Sequence, residues 1–523
     1  MSAGPIAVTE AGRVQGARRG DILEFRGVPY GRAERFAAPS APVAWADVRP
    51  ATTPGPAAPQ PDRAVATFTH GARPATGEDC LALDVFTPGL TGSRPVLVWV
   101  HGGGFAIGSA AASLYDGADL AAAADIVVVA VGYRLGSLGW LGHPELSVGP
   151  GAPTANWGLL DQAGALRWVA ANIGAFGGDP GRVTLGGQSA GALSAMDLLV
   201  CPAADGLFAR AILQSPPLGD VAQPPQRARD WARALSRALS PHEEFDLAAL
   251  RSAPTARLVA LHEELLDAPA FRGTRGGALP TIDAATIPVS PRERPGARPA
   301  VDVLIGANAD EGSFFFGAPW RPAPPPERIA AIVERLTGEP PESVLRRHRQ
   351  DATSRGLAAG PLDLLRRIAT EHMITGPIGA WAGDRARAVA ADGGRVFRYR
   401  FDHPGAGPDL GATHTAEVPL LFGTWRDGGP GERLGGAPAP AGYADTADVA
   451  AALRAAWIRF IHGEDPGWAP VDAGGGGGEV GIFGGRMALT VAAPAARQLS
   501  GNLRAGKHTG HKNENCVHLP RRS

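Results

Sequence analysis

Two apolar patterns alternate along the N-terminal part of the chain. Residues 95–100 (PVLVWV) and 126–131 (IVVVAV) are unbroken apolar runs, the pattern of strands buried on both faces. Residues 159–173 instead repeat Leu159, Ala163, Leu166, Val169 and Ile173 at helical spacing. Residues 81–86 and 182–186 predict further strands, the second leading into a helix through Leu193, Met196 and Leu199. Residues 14–24 and 25–30 predict short early strands, and the Pro- and Ala-rich stretch 39–76 a loop. Strand character returns at 301–305 and 395–401. The stretches 223–266 and 326–389 are helix-rich and are expected to pack on the sheet or cover a pocket. Strands alternating with helices define an α/β class with a mostly parallel central sheet flanked by crossover helices.

The chain has 523 residues, 44% of them hydrophobic, enough for a large core. Lys+Arg (50) balances Asp+Glu (51), so no net field gathers phosphates or anionic lipid, and neither nucleic acid nor membrane is an expected partner. Cys80, Cys201 and Cys516 are widely separated and form no CxxC metal or redox spacing, which predicts three free thiols in a reducing compartment. The start MSAGPIAVTEAGRVQG has neither a basic region nor an apolar core of a signal peptide, and no apolar run is long enough to span a bilayer. A cytoplasmic protein is expected. Residues 1–496 read as a single domain. The polar, basic tail 497–523 reads as disordered, and the glycine run 474–478 as a flexible loop.

Gly187-Gln188-Ser189-Ala190-Gly191 matches G-x-S-x-G between a predicted strand and a predicted helix. A tight strand-to-helix turn pushes a Ser hydroxyl out of the backbone, and crowding there favours glycine on both sides. The following helix aims its N-terminal N–H groups at developing negative charge. Upstream, His101-Gly102-Gly103-Gly104-Phe105 follows the run ending at Val100. Bare glycines let backbone donors approach an oxyanion, each worth about 3 kcal/mol. No Walker lysine follows, so a phosphate loop is disfavoured. Gly103, Gly104 and the N–H of Ala190 are the candidate oxyanion donors, and Ser189 the candidate nucleophile.

Hydrolases with this elbow place Ser, acid and His in that chain order. His414, in GATHTAE after the strand ending at Phe401, is a candidate base. His403, nearer the strand, is its rival. For the acid, residues 305–312 (IGANADEG) offer Asp310 and Glu311, and spacing does not separate them.

Taken together, these motifs resemble the type-B carboxylesterase family of the α/β-hydrolase fold. The resemblance runs from about Gly12 to Leu489. It is carried by FRGVPY at 25–30, EDCL at 78–81, HGGGF at 101–105, YRLG at 133–136 and the block from NWGLLDQ at 156–162 through FGGDP at 176–180. It implies helical insertions over the active site, Glu311 as the triad acid through the D-E-G pattern and His414 as the base through G-x-x-H-x-x-E. It also implies Ser215 as a second hydroxyl near the acid. The chain departs from the family pattern in Gln188, where a glutamate usually precedes the nucleophile, and in Pro216 and Gly132. Cys80 also has no earlier cysteine to pair with. The missing charge at 188 should make the pocket less attractive to cations.

The implied function is a serine carboxylesterase acting on small-molecule esters through an acyl-enzyme, with no metal or organic cofactor. The alternatives are a non-catalytic binding member of the fold, or an amidase, carbamate hydrolase or acyltransferase on the same triad.

Overall fold

The computed structural model describes residues 4–61, 75–218, 222–268, 271, 279–318, 323–404, 410–426, 444–474 and 478–492. The expected disordered tail and most of the glycine run lie outside them.

Among the described residues fourteen strands are formed: β1 (Ile6–Thr9), β2 (Gly12–Gln15), β3 (Ala17–Arg19), β4 (Ile22–Pro29), β5 (Arg49–Pro50), β6 (Ala82–Thr87), β7 (Arg94–Val100), β8 (Val127–Val131), β9 (Gly178–Gln188), β10 (Arg210–Gln214), β11 (Asp302–Asn308), β12 (Val396–Phe401), β13 (Val480–Phe483) and β14 (Leu489–Ala492). Strands β1, β2 and β5 make a small separate sheet. The other eleven form one sheet in the order β14-β13-β12-β11-β10-β9-β7-β8-β6-β4-β3. From β8 through β13 every neighbouring pair is parallel, while pairing at both edges is antiparallel.

The apolar runs behave as a two-faced strand should. In β7, Val96, Val98 and Val100 enter one core while Leu97 and Trp99 enter the core on the opposite face. Val127, Val129 and Val131 of β8 alternate with Val128 in the same way. Helices Trp157–Asn172, Ala190–Val200 and Gly376–Val389 close the first face, and Ala118–Ala124, Val418–Phe422 and Thr446–His462 the second. The helix-rich middle forms two satellite cores. One gathers Trp231, Leu250, Leu258 and Leu261 around Leu138 and Trp157. The other joins Ile329, Val333, Val344, Leu364 and Ile368.

The blocks at 133–136 and 156–162 meet in a buried ion pair. Arg134 forks onto Asp161, with Nε–Oδ2 at 2.8 Å and Nη2–Oδ1 at 2.6 Å. The Arg134 segment in turn braces the glycine loop, since the Gly136 N–H donates to the Phe105 carbonyl at 2.7 Å.

Strand order positions the site. After β7 the chain steps outward to β8, then returns to place β9 on the other side of β7. In open parallel sheets, ligands bind beyond the carboxyl ends of strands at such a reversal. Val100 pairs with Gly187, so the loops leaving β7 and β9 emerge side by side.

Candidate active site

Ser189 follows β9 and precedes helix Ala190–Val200 with φ 56° and ψ −121°, a conformation costly for a non-glycine residue. Its neighbours explain how the turn is accommodated. A methyl group on Gly191 would collide with the Val100 carbonyl oxygen, and one on Gly187 would lie 2.5 Å from the Gly191 carbonyl carbon. The Ser189 N–H donates to the Gln214 carbonyl at 2.8 Å, pinning the turn to β10. Among the described residues the Ser189 hydroxyl makes no hydrogen bond.

The glycine loop lies directly against this turn. A Cβ on Gly102 would sit 2.8 Å from the Gln188 carbonyl oxygen and 3.3 Å from Ser189 Cβ. Gly103 has φ +113° and Gly104 φ +63°, and Gly104 faces open space. Among the described residues neither Gly103 nor Gly104 donates its N–H, and Ala190, opening its helix, has no intrahelical acceptor. These three amides are the ones the sequence offers as oxyanion donors. His101 anchors the loop from below, stacked on Tyr133 at 4.4 Å, while Tyr133 Oη donates to the His101 carbonyl at 2.7 Å. Burial pushes the His101 imidazole down to about 4, so it is a neutral packing element.

The structure separates the rival acids and bases. Glu311 opens helix Glu311–Phe315 just beyond β11, and its carboxylate is fully buried. Its Oε2 lies 2.5 Å from His414 Nδ1, and its Oε1 accepts the Asn308 N–H at 2.8 Å. Asp310 turns away and accepts the Ala412 N–H at 3.0 Å, shaping the loop that carries His414. His403 Nε2 sits 3.0 Å from Thr446 Oγ1, in a different environment. The His414 ring lies tilted against Phe314 and Phe315 at centroid distances of 5.3 and 5.2 Å.

Two features were not anticipated from sequence. The first is the contact of Gln188 with the candidate base, its Nε2 lying 3.1 Å from His414 Nε2. The second is a buried polar frame behind the acid. Asn308 Nδ2 donates to the Thr413 carbonyl at 2.7 Å and to Glu417 Oε2 at 2.6 Å. Gln214 Nε2 donates to Glu417 Oε1 at 2.9 Å, and Trp457 Nε1 to Gln214 Oε1 at 2.9 Å. The frame ties β10, β11 and the His414 loop together. Burial and the nearby Glu311 raise the Glu417 carboxyl above its ordinary range. The only sequence trace of this frame was Glu417 at the end of G-x-x-H-x-x-E.

Ser215 follows β10 with φ 50°, its N–H donating to the Gly306 carbonyl at 2.8 Å. Its buried hydroxyl has no hydrogen-bond partner among the described residues, so the structure does not join it to Glu311.

A parallel sheet with a strained serine elbow, an adjoining glycine loop and a Glu–His pair at its carboxyl edge defines an α/β-hydrolase. The chain belongs to the carboxylesterase family, whose profile matches residues 3–468, and it is a carboxylic ester hydrolase. It is 34% identical over 477 residues to the para-nitrobenzyl esterase of Bacillus subtilis (strain 168), covering 88% of this chain and 90% of that one. It is 35% identical over 476 residues to the phenmedipham hydrolase of Pseudarthrobacter oxydans, with the same coverage. Among solved structures, a thermophilic PNB esterase superposes with a TM-score of 0.80 at 30% identity, covering 95% of this chain and 98% of that chain. Among the described residues, no helix is long and apolar enough to cross a membrane.

Proposed function

We propose that this esterase works through Ser189, His414 and Glu311 within a single catalytic domain of residues 1–496. The observation that carries the reading is the 2.5 Å contact from His414 Nδ1 to buried Glu311, beside the strained Ser189 turn. Glu311 holds the proton on Nδ1 and leaves Nε2 with a lone pair. For attack, Nε2 exchanges the Gln188 amide for the Ser189 hydroxyl. Ser189 Oγ adds to the ester carbonyl as His414 Nε2 takes its proton. The amides of Gly103, Gly104 and Ala190 stabilise the tetrahedral oxyanion. His414 then protonates the departing alcohol, and water repeats the sequence on the acyl-enzyme.

The substrate class follows from the walls. Phe314 and Phe315 flank His414, and the residue before the nucleophile is neutral Gln188 rather than a carboxylate. The phenylalanine rings favour an apolar substituent, and the neutral Gln188 offers a cationic ester no counter-charge. Two buried free thiols, Cys80 and Cys201, support a reducing cytoplasmic setting.

Ser189→Ala tests the assignment. It should cut kcat on a short-chain nitrophenyl ester by about a million-fold. It should also abolish labelling by a fluorophosphonate while leaving the circular dichroism unchanged. Labelling that persists in the variant overturns the nucleophile assignment, and failure of the wild type to turn over any ester overturns the catalytic reading itself.

A further inference from the structure

A second group of reactive side chains lies in the helical insertion, apart from the triad. His348 projects from helix Pro341–Ser354. Glu371 and His372 sit on Thr370–Thr375, a π-helical turn wedged between helices Pro361–Ala369 and Gly376–Val389. One ligand atom from each of the three residues lies within 4.8 Å of the other two, and all three side chains are half-buried. The two imidazole rings are tilted to one another by 54° at a centroid distance of 6.2 Å.

The local backbone explains the convergence. Neighbouring residues on an α-helix point about 100° apart, which would spread Glu371 and His372 over different faces. Here the Gly376 N–H reaches back five residues to the Glu371 carbonyl. This wider turn packs more residues into each revolution and narrows the angle between neighbours. Such π turns are concentrated at functional sites. Among the described residues, none of the three side chains forms a hydrogen bond or an ion pair. A carboxylate and two imidazoles are therefore brought together without serving one another structurally.

From this geometry we propose that His348, Glu371 and His372 form a binding site for a divalent transition-metal ion of the zinc class. Two imidazole nitrogens and one carboxylate oxygen are a set that zinc accepts at about 2.0–2.2 Å, with a fourth position left to water. Tetrahedral bonds of that length put ligand atoms about 3.3 Å apart. The proposal requires the three ligand atoms, now within 4.8 Å of one another, to draw together to that distance on binding. Magnesium and calcium, which prefer all-oxygen shells, are poorly served by two imidazoles. The ion would clamp helix Pro341–Ser354 to the turn beside the catalytic acid. Thr370, next to Glu371, accepts the Gly312 N–H at 2.9 Å through its hydroxyl, and Gly312 follows Glu311.

The test is metal binding by the full-length chain after chelation and dialysis, using Zn²⁺ by calorimetry and Co²⁺ as a spectroscopic probe. The tail carries His508, His511, Cys516 and His518, which can themselves hold metal. Every variant therefore keeps the tail, and Co²⁺ bound there through a thiolate shows an intense near-ultraviolet charge-transfer band. Wild type should bind one equivalent of Co²⁺ with visible d–d bands lacking thiolate character. His372→Ala, Glu371→Gln and His348→Ala, on two different elements, should each weaken that site by more than about tenfold, since even outer-shell partners are worth 10–100-fold. Circular dichroism separates lost binding from lost folding. Identical isotherms for wild type and all three variants, or cobalt spectra of thiolate type alone, overturn the site.

Discussion

The side-chain nitrogen of Gln188 and the Nε2 of His414 stand 3.1 Å apart, in the place a nucleophile's hydroxyl would occupy. In the proposed mechanism the ring proton sits on Nδ1, facing Glu311, and the Gln188 amide then donates to the Nε2 lone pair. An amide is versatile at this position, because turning it over presents an oxygen that accepts from the imidazolium. A carboxylate would serve only the charged ring.

Gln188→Glu should therefore favour the protonated imidazole. An opposite charge at this range raises a pKa by about 1–3 units. If His414 is the base it must be neutral to act, so the acid limb of the kcat/KM profile should move to higher pH by that amount, and cationic esters should gain relative to neutral ones. An unmoved acid limb would show that the contact is absent in the working enzyme.

In the proposed mechanism the Glu311 carboxylate fixes the tautomer of His414, and Glu311→Gln replaces it with a group of the same shape and no charge. Removing the charge of a triad acid lowers kcat by about 10⁴. The loss should fall on kcat more than on KM, and a steady-state comparison on a nitrophenyl ester reads both. A mutant within tenfold of wild type would return the role to another carboxylate, with Asp310 the first to examine.

Asp161→Ala strips the partner from Arg134, which is only 5% exposed. Breaking a buried pair by removing one member costs about 3–5 kcal/mol. Urea unfolding should show a loss of that size. Activity should fall as well, because the Arg134 segment supports the Phe105 carbonyl at the end of the glycine loop. A change under 1 kcal/mol would mean that the pair behaves as an exposed one.

Asp197 lies on the helix behind the nucleophile and is 2% exposed, and burial alone raises its carboxyl well above the usual range. A carboxyl with a raised folded-state pKa binds its proton more tightly in the native protein. It favours the fold fully below its unfolded value of about 3.9 and loses that contribution as pH rises through the folded value. Asp197→Asn removes the dependence. The variant should be more thermostable than wild type at pH 8, with the difference shrinking steadily towards pH 4. A difference that is constant with pH would sink this account.

Much of the frame was legible from local physics. An apolar run such as 126–131 has one stable fate, a strand covered on both faces, and the strained elbow at Ser189 needs the glycines that flank it. Helix Thr446–His462 and the hairpin of β13 and β14 went unread. The helix mixes Ala and Arg among its apolar positions, and the strands are four residues long. The helix takes its identity from packing on the second face of the sheet and the strands from pairing at its edge, both of which only the folded chain supplies.

Sequence by itself determined the strand cores, the nucleophile turn and the glycine loop, because each is encoded within a few adjacent residues by hydrophobic spacing or by the steric need for glycine. Tertiary structure decided which carboxylate meets which histidine. Asp310 and Glu311 are adjacent, yet one caps a loop and the other reaches His414, 103 residues away. It also brought Gln188 against His414 and assembled the frame of Asn308, Gln214 and Glu417. Those contacts join residues from separate strand ends, and their distances are set by the twist and order of the sheet, which no local pattern records.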